Sequence, residues 1–411
     1  MNEYDVIVIG GGPAGLFCSV LLGRGGCRTL LLEKMRSCGR KLLLSGSGQC
    51  NLTHTGPVSE FLSHYGDHGK FIRPALAALT NEDLISFFND FGVLFCDDGG
   101  GKFFPSSGKA GDVLNALLKE ADKEGVIIHT GEPVISVNHD NSGFKVTTRL
   151  DTYQSGVLML ATGGYTYPAT GSTGDGYVFA KSLGHLIAEP GPALTPVHIP
   201  NFSLKDLSGM SFPGVPVFLY RDKKKVNEAK GNLLITHTGF SGPVILDMSR
   251  YFKPGDELRV GFLPYQNINT AREELICLLS SGGVKQVKTI LTSLPLPGRF
   301  IKKVLELAGI PPDTISAQFS RDLRNRLVSL ILEFPVMEIV PGGAGEAMVT
   351  RGGVSLDEVK KDSMESKIVP NLYFAGELLD IDGDCGGYNL QAAFSTGASA
   401  AFNILKRMKK T

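Results

Sequence analysis

The chain has 411 residues, which is enough for two or three domains with a sizeable core. Its 41 Lys and Arg balance its 41 Asp and Glu, so the overall charge gives no indication of a polyanionic partner. A hydrophobic share of 42% and a charged share of 20% are those of an ordinary soluble globular protein.

The seven cysteines are dispersed along the chain, and no two of them have the C-x-x-C spacing. Such a set favours reduced thiols in the cytosol over a disulfide framework or a zinc site, so we predict no metal. The first residues lack the basic segment and cleavage site of a signal peptide. No apolar run approaches the roughly 20 residues that cross a bilayer. We therefore expect a cytoplasmic protein without a membrane partner.

The first forty residues have the pattern of a βαβ unit. Residues 4–9 predict a buried parallel strand, residues 13–24 have the apolar spacing of a helix, and residues 28–32 predict a second strand. A G-x-G-x-x-G motif joins the first strand to the helix, and Glu33 ends the second strand. The motif alone is weak, but this context is specific for a dinucleotide-binding unit.

Each glycine of the motif has a separate predicted use. Gly10 permits the tight turn, Gly12 lets the backbone approach a pyrophosphate, and Gly15 lets the helix pack closely on the strand. The helix N-terminus faces the phosphates. Glu33 accepts hydrogen bonds from the ribose hydroxyls of an adenosine and repels a 2′-phosphate. The unit by itself leaves NAD and FAD open.

Two later stretches also combine a strand with glycines. Residues 157–160 predict a strand that leads into A-T-G-G, after which Thr173 is predicted to cap a helix from about Asp175. Residues 372–375 predict another strand, which is followed by Gly-Glu, a G-G-Y-N loop and a long terminal helix.

The domain organisation follows from prolines and from the changing period of apolar residues. Four prolines between residues 190 and 200 mark a crossing between domains, and short apolar runs typical of antiparallel strands follow. Residues 270–332 then have helical spacing, and residues 336–340 predict a returning strand. The predicted parts are a dinucleotide-binding domain at 1–189 and 344–411, and an inserted substrate or cap domain at 190–343, which consists of a β-barrel at 190–268 and 333–343 and a helical subdomain at 269–332.

Five motifs resemble one known family and together span nearly the whole chain. They are GRKLLLSGSGQCNLT (39–53), PATGSTGDGY (168–177), THTGFSGP (236–243), EAMVTRGGVSLDEV (346–359) and GGYNLQAAFSTG (386–397). In this order they resemble the BaiN-like flavoproteins, FAD-dependent oxidoreductases that include an aminoacetone oxidase and a bile-acid 3-oxo-Δ4 reductase. The resemblance implies an α/β fold of the two-dinucleotide-binding-domain type and FAD as the cofactor.

The resemblance also assigns positions to the cofactor. It places Arg40 and Lys41 near the pyrophosphate and flavin, Glu377 on the ribityl chain, and the N-terminus of the terminal helix at the flavin pyrimidine ring. The family usually has Arg where this chain has Gln49. The full predicted cofactor-binding set is Gly10, Gly12, Pro13, Ala14, Gly15, Glu33, Lys34, Arg40, Lys41, Ser45, Gly46, Gly48, Cys50, Asn51, Ala161, Thr162, Gly163, Gly376, Glu377, Gly387, Tyr388, Asn389 and Leu390.

The catalytic residue stays open among His237, Tyr388 and Cys50. A lone histidine is as often structural as it is a proton donor, a tyrosine more often packs, and a cysteine without a partner is more often inert. The stretch PGGAGEAMV (341–349) lacks the third glycine and the acid of a second dinucleotide site. We therefore expect NAD(P)H to donate electrons without a fold of its own.

Three functions are weighed against one another. The first is NAD(P)H-dependent reduction of a small organic acceptor such as an activated C=C. The second is an oxidase that takes electrons from a small amine and passes them to O₂, which becomes H₂O₂. The third, a non-catalytic flavoprotein or one that acts on RNA, is disfavoured by the neutral charge balance and by the absence of a basic stripe in the sequence. The expected partners are a small-molecule substrate and no nucleic acid, with the chain a monomer or a homodimer.

Overall fold

The structure, a computed structural model, describes residues 2–409. It divides into two compact units: unit 1 comprises residues 1–193 and 344–411, and unit 2 comprises residues 194–343. The insertion predicted from the sequence covers 190–343, and the function of each domain stays a prediction.

The helices and strands are as follows. The α-helices are α1 (Pro13–Arg24), α2 (Val58–Phe61), α3 (Gly69–Ala78), α4 (Asn81–Asn89), α5 (Ala110–Lys123), α6 (Asp175–Ser182), α7 (Pro243–Met248), α8 (Ile268–Ser280), α9 (Val287–Leu291), α10 (Gly298–Ala308), α11 (Arg321–Leu332) and α12 (Tyr388–Met408). The strands are β1 (Asn2–Ile9), β2 (Thr29–Glu33), β3 (Thr53–His54), β4 (Phe95–Asp97), β5 (Lys102–Pro105), β6 (Ile127–Thr130), β7 (Val134–Asp140), β8 (Gly143–Thr148), β9 (Thr152–Leu160), β10 (Ile187–Ala193), β11 (Val197–His198), β12 (Ser211–Arg221), β13 (Lys224–Ile235), β14 (Gly239–Ser241), β15 (Glu257–Val260), β16 (Phe334–Val336), β17 (Val340–Pro341), β18 (Val349–Val354) and β19 (Leu372–Phe374).

Unit 1 is organised around a seven-stranded mixed sheet. Its strand order is β6-β2-β1-β9-β8-β7, and β19 pairs with β9. The strands β6, β2, β1, β9 and β19 are parallel, whereas β7 and β8 form an antiparallel hairpin beside β9. Residues Val6, Ile7 and Val8 are fully buried, as expected for a parallel strand covered on both faces. The predicted first βαβ unit and α/β class are confirmed.

The strand β9 is longer than the predicted strand at 157–160. It starts at Thr152, and its first residues pair antiparallel with β8, with Thr152 opposite Thr147 and Ser155 opposite Phe144. This first part is polar, so it has no apolar run to reveal it in the sequence. The buried second part, Val157 to Leu160, pairs in parallel with β1.

The predicted domain crossing at residues 190–200 contains a strand that the sequence does not indicate. Pro190 and Pro192 lie inside β10, which pairs antiparallel with β18 through a bulge between Ala188 and Gly191. Among the described residues β10 pairs with β18 alone, so its other edge is unpaired, and a missing N–H on that edge costs no ladder hydrogen bond. Unit 2 then begins at Leu194.

Unit 2 has a seven-stranded antiparallel sheet where a β-barrel is predicted. The strand order is β16-β15-β12-β13-β14-β11-β17, and among the described residues no pairing joins the two end strands. The single strand predicted at 336–340 is wrong: it is divided into β16 and β17, with Glu338 between them at φ 56°. A left-handed residue interrupts extended backbone, and a glutamate gives no sequence signal for it.

The helices α8 to α11 occupy the stretch predicted as a helical subdomain. They share a core with the sheet through three phenylalanines, Phe212 of β12, Phe262 after β15, and Phe300 of α10. The ring centroids lie 4.9 Å apart for Phe212 and Phe262, 5.0 Å for Phe212 and Phe300, and 4.4 Å for Phe262 and Phe300. The sheet and the helices therefore share one hydrophobic core.

The terminal helix α12 packs on α1 in unit 1 through small residues. A Cβ atom built on Gly397 would lie 2.6 Å from the backbone oxygen of Ala14, so the two helices approach at backbone distance. The exposed end of α12 has the basic side chains of Lys406 and Arg407, which suit the helix dipole. Among the described residues, no helix combines the length and apolar composition that a membrane crossing requires.

The close contact predicts opposite effects for one substitution at two helical glycines. Gly397→Ala inserts a methyl group against the Ala14 carbonyl and should lower the free energy of unfolding by about 1–3 kcal/mol. Gly111 of α5 has no atom within 4 Å of its virtual Cβ, so Gly111→Ala should leave stability unchanged or raise it by up to about 1 kcal/mol. Urea denaturation of both apoproteins measures the difference, and equal stability of the two variants would contradict the packing.

Candidate functional site

In the glycine turn at the start of α1, some glycines are required by backbone packing and one is not. A Cβ on Gly15 would lie 2.0 Å from the Gly10 oxygen, and one on Gly10 would lie 2.4 Å from the Ala161 oxygen, so both positions are required by the fold. Gly12 has φ −81° and no atom within 4 Å of its virtual Cβ, so neither its backbone nor its packing requires glycine. Its missing side chain leaves open space at the N-terminus of α1, where no side chain caps the helix. This space fits a pyrophosphate.

The carboxylate of Glu33 is held at the end of β2 by two backbone donors. Its Oε2 accepts from the Gly11 N–H at 2.8 Å and its Oε1 from the Met35 N–H at 2.7 Å. Each oxygen has a further lone pair, and Glu33 is only partly buried. It can therefore accept hydrogen bonds from ribose hydroxyls without breaking those that orient it.

Lys34, a predicted cofactor residue, contacts α6 in this structure. Its Nζ lies 2.5 Å from Asp175 Oδ2 and also donates to Thr173 Oγ1. Burial opposes the ionisation of Asp175, but the hydrogen bonds from Lys34 and Thr173 lower its pKa overall. The prediction that Thr173 caps α6 is wrong: the N-cap is Gly174 at φ 82°, and Thr173 donates to the Asp175 side chain. Glycine adopts that φ without strain and satisfies the helix geometry.

The glycine-rich loop before β3 has a left-handed backbone at several positions. The segment Leu42–Gly48 contains 3-10 turns that are interrupted by non-helical backbone from Ser45 to Ser47. Gly46, Ser47 and Cys50 have φ values of 55°, 57° and 63°. The hydroxyl of Ser45 donates to the Leu42 oxygen at 2.7 Å, so it stabilises the turn.

The exposed part of this loop is open at Gly48, whereas a Cβ on Gly46 would lie 2.7 Å from the Asn51 backbone nitrogen. Gly46, Gly48 and Gln49 are all exposed, and the virtual Cβ of Gly48 has no neighbour closer than 3.9 Å. Backbone without side chains beside open space is what a closely approaching ligand requires. The basic side chain that the family usually has at Gln49 is absent here.

Two predicted segments from opposite ends of the chain meet at the N-terminus of α12. In the orientation that satisfies both groups, the Asn51 amide donates to the Thr53 oxygen at 3.2 Å and accepts from the Gly387 N–H at 3.1 Å. A Cβ on Gly387 would lie 2.7 Å from Thr53 backbone atoms. Asn389 is used differently, because its side chain donates to the Gly383 oxygen at 2.7 Å and fixes the preceding loop.

A buried polar network joins Lys41 to Glu377. The Lys41 Nζ lies 2.7 Å from Glu377 Oε2 and 2.8 Å from Thr166 Oγ1. The Thr350 N–H donates to Glu377 Oε1 at 2.9 Å. About a fifth of each charged side chain stays exposed, 23% for Lys41 and 20% for Glu377, so both can also contact a ligand. Neither Thr166 nor Thr350 is among the predicted cofactor-binding residues, although Thr350 lies in the motif at residues 346–359.

The remaining predicted positions lie in several elements of unit 1, and some of them contact the start of α1. Ala161 contacts Gly10, and the virtual Cβ of Gly376 lies 3.1 Å from Ala14 Cβ. Thr162 Oγ1 is buried without a partner and faces Gly176 of α6. Other members of the set are Pro13 in the first turn of α1, the exposed Arg40, Gly163 at φ 72° and the partly buried Leu390.

A stack of aromatic rings beside this region was not predicted. The Tyr388 ring lies between His54 and His64, with centroids 5.2 Å and 4.0 Å away. His64 Nδ1 lies 3.0 Å from Asp384 Oδ2, so a carboxylate orients the imidazole. The Tyr65 hydroxyl donates to the Tyr388 backbone oxygen at 2.8 Å. A sequence signal existed, since three of the eight histidines fall within residues 54–68.

The three predicted catalytic candidates lie in different surroundings. Cys50 is fully buried, and burial raises its pKa to about 12, although a hydrogen bond with Ser45 acts in the opposite direction. It is therefore a thiol at neutral pH. Tyr388 is buried in the ring stack, and His237 is exposed in the turn between β13 and β14 of unit 2. The catalytic roles of all three stay predictions.

The family model described as HI0933-like protein Rossmann domain matches residues 4–403 of this chain. Among solved structures, the open conformation of a flavocytochrome c3 fumarate reductase is similar, with a TM-score of 0.52 and 15% identity. The alignment covers 98% of this chain and 78% of the other chain. Together with the strand order of unit 1, these matches confirm the predicted Rossmann-like fold.

Three curated proteins are similar over almost their whole length. The ribosomal RNA dihydrouridine synthase of Escherichia coli is 31% identical over 98% of this chain and 99% of its own. The protein of that name from Haemophilus influenzae is 33% identical, covering 99% of this chain and 100% of its own. The 3-dehydro-bile acid delta(4,6)-reductase of Clostridium scindens is 29% identical over 97% of this chain and 97% of its own.

The geometry of the glycine turn predicts that Gly12 and Gly15 fail in different ways. Gly12→Ala places a methyl group in open space, so the stability of the apoprotein should stay within about 0.5 kcal/mol of wild type, while affinity for FAD falls about tenfold or more. Gly15→Ala should destabilise the apoprotein itself, because its Cβ clashes with the Gly10 carbonyl. Urea denaturation of apoprotein and fluorescence titration with FAD separate the two effects. A Gly12→Ala variant that binds FAD as tightly as wild type would show that the pyrophosphate does not bind at this turn.

The raised pKa of Cys50 predicts that its thiol resists alkylation. Between about pH 7 and pH 9, labelling of Cys50 by iodoacetamide should stay far slower than that of the exposed Cys96 and Cys277, because only a thiolate reacts. Peptide mapping by mass spectrometry measures each site. Unfolded protein is the control, in which all of these cysteines should react alike. Fast labelling of folded Cys50 would instead support a redox role.

Proposed function

Since the chain belongs to the family of HI0933-like proteins with a Rossmann domain and is an FAD-dependent oxidoreductase, we propose that it reduces a carbon–carbon double bond conjugated with a carbonyl group. The match to the family model over residues 4–403 confirms the predicted resemblance to BaiN-like flavoproteins. We propose a uracil base of ribosomal RNA as the substrate and NAD(P)H as the electron source. The observation that carries this choice is the pair of whole-length relatives named ribosomal RNA dihydrouridine synthase.

One reaction type accounts for the names of all three relatives. Dihydrouridine is uridine with two hydrogens added across C5=C6, a bond conjugated with the C4 carbonyl. A 3-dehydro bile acid has a ketone at carbon 3, and a double bond at carbon 4 is conjugated with it. In both cases hydride adds to the carbon β to the carbonyl, and a proton adds to the α carbon. The substrates differ in size and charge, but the chemistry at the reacting bond is the same.

The residues of unit 1 fit a bound FAD, whose chemistry is two-electron hydride transfer. The space at Gly12 and the uncapped N-terminus of α1 accept the pyrophosphate. The carboxylate of Glu33, which two backbone N–H groups already orient, would accept hydrogen bonds from the ribose hydroxyls. Lys41 and Glu377 hold one another in a fixed arrangement, so they contact a ligand without reorganising.

Delivery of the proton is assigned to the ring stack near the N-terminus of α12. Reduction of a conjugated double bond needs a proton as well as a hydride, and histidine exchanges protons near neutral pH. Asp384 orients the His64 ring through Nδ1, and this leaves Nε2 for proton exchange. His64 thus joins His237, Tyr388 and Cys50 as a candidate proton donor.

The alternatives differ from this proposal in electron donor or acceptor. An oxidase would take electrons from a small amine and pass them to O₂. A reductase of a small molecule would act on a free enone, as the name of the bile-acid relative describes. The expectation of no nucleic-acid partner depended on the neutral net charge of the chain and on the absence of a basic stripe, although residues 281–332 have eight basic and three acidic side chains. Because the net charge averages over two separate units, it carries little weight against RNA bound by one of them.

The proposal predicts dihydrouridine in unmodified ribosomal RNA treated with the purified FAD-loaded protein and NADPH or NADH under nitrogen. The product is measured by nucleoside mass spectrometry as a gain of two hydrogens on uridine. An enone steroid and aminoacetone with O₂ are run in parallel as the alternative substrates. Reoxidation of the flavin by the enone alone would favour the small-molecule reductase, and peroxide from aminoacetone would favour the oxidase.

Two histidine variants test the proton step within the same assay. His64→Asn should lower product formation about a hundredfold while NAD(P)H still reduces the flavin, because only the protonation step loses its donor. His68→Asn is the matched control from the same segment, since His68 Nε2 lies 3.9 Å from Asp380 and outside the ring stack. Equal losses in both variants would indicate a structural role.

A further inference from the structure

Charge is unevenly distributed between the two units. Unit 1 has 23 Lys and Arg against 28 Asp and Glu, whereas unit 2 has 18 against 13. Within unit 2 the whole excess lies in residues 281–332, which have eight basic and three acidic side chains. The rest of unit 2 has ten of each. The zero net charge of the chain therefore conceals one strongly basic region.

The basic side chains of this region are available to a partner. They are Lys285, Lys288, Arg299, Lys302, Lys303, Arg321, Arg324 and Arg326. Six of them are exposed, and Lys303 and Arg324 are partly buried. Among the residues that the structure describes, only Lys303 of the eight has carboxylate partners, Asp206 at 3.8 Å and Glu306 at 3.2 Å. Seven positive charges are thus not neutralised within the protein.

The exposed face of helix α10 has basic side chains, and its apolar face is buried. Arg299, Lys302 and Lys303 are spaced by three and four residues and share one face of the helix. Phe300 and Val304, on the other face, are fully buried in the core of unit 2. A basic amphipathic helix that binds a membrane or a protein groove does so through its apolar face. In α10 that face is already occupied.

The helix α11 adds three arginines to this basic region and belongs to the same group of packed helices. It packs against α8 and α10, and Arg321, Arg324 and Arg326 lie in its first half. One of them is fixed, because Arg324 Nη1 donates to Ser280 Oγ at 2.9 Å. Planar guanidinium groups bind phosphate oxygens in pairs, so arginines are well suited to a phosphodiester backbone.

We propose that residues 281–332, the basic surface, bind the sugar–phosphate backbone of the RNA substrate, an inference that rests on the proposed function. The two aromatic residues of this stretch, Phe300 and Phe319, are buried, so no exposed ring stacks on a base. The basic surface therefore holds RNA without reading its sequence, and selection of the base belongs to the reaction site. Unit 1 has an excess of acidic residues, so the excess of positive charge on which this proposal depends lies in unit 2.

The test removes three exposed charges for which the structure shows no hydrogen bond or ion pair within the described residues 2–409. Lys302→Gln, Arg321→Gln and Arg326→Gln are combined in one variant of the full-length FAD-loaded protein. The matched control is Lys119→Gln, Lys145→Gln and Lys181→Gln, which removes three exposed lysines of unit 1. Binding of a labelled ribosomal RNA transcript is measured by fluorescence anisotropy over a range of salt concentrations.

The basic-surface variant should bind RNA about tenfold or more weakly, and its slope of log affinity against log salt should fall by about 2. Its KM for RNA should rise while kcat and flavin reduction by NAD(P)H stay at wild-type values, because the reaction site is untouched. The control variant should bind as wild type does. A transcript of scrambled sequence should bind equally well.

The outcomes separate this inference from the proposed function. Unchanged affinity of the basic-surface variant for RNA, or an equal loss in the control variant, would overturn the proposal that the basic surface binds RNA. So would wild-type protein that binds anionic phosphatidylglycerol vesicles but not RNA. RNA binding that depends on the basic surface, without any dihydrouridine formed, would uphold the surface and reject the proposed reaction.

Discussion

The structure depends on backbone segments that touch without side chains between them at the N-terminus of α1. Gly15 contacts Gly10, Gly10 contacts Ala161, and Gly397 contacts Ala14, each at a distance that excludes a methyl group. These contacts bring the first, middle and last parts of unit 1 to one helix terminus. Because the glycines are already used in packing, the open space at Gly12 has definite walls, and it is there that a pyrophosphate would meet the helix dipole.

Polar contacts over long sequence separations hold the other side of the site. The ion pair of Lys41 and Glu377 and the amide contact of Asn51 with Gly387 each join the loop at residues 41–51 to the last forty residues. Partners of this kind fix side chains before a ligand arrives, which lowers the reorganisation needed on binding. The histidines that stack on Tyr388 place two imidazole rings beside the same helix terminus. The predicted cofactor contacts and the proposed proton donor thus lie near two helix N-termini.

The division into two units changes what the charge of the chain means. A neutral total is typical of proteins that act on small molecules, yet an acidic unit and a basic unit give the same total as two neutral ones. In residues 281–332 most of the basic side chains lie on α9, α10 and α11, whose buried residues belong to the same core as Phe212, Phe262 and Phe300. The core therefore fixes which face of each helix is offered to solvent, and that face is basic.

Local patterns were sufficient to predict the first βαβ unit, the acid at Glu33 and the terminal helix, since each depends on neighbours within about twenty residues. Contacts between distant residues were not predicted, such as Lys41 with Glu377 or His64 with Asp384, because periodicity has no information on which loops meet. The strand at Pro190, the interruption at Glu338 and the open sheet also depended on tertiary pairing, which overrides local preference. The basic surface was present in the sequence from the start. Only the boundaries of unit 2 and the burial of its helices decided that those charges belong to one exposed region.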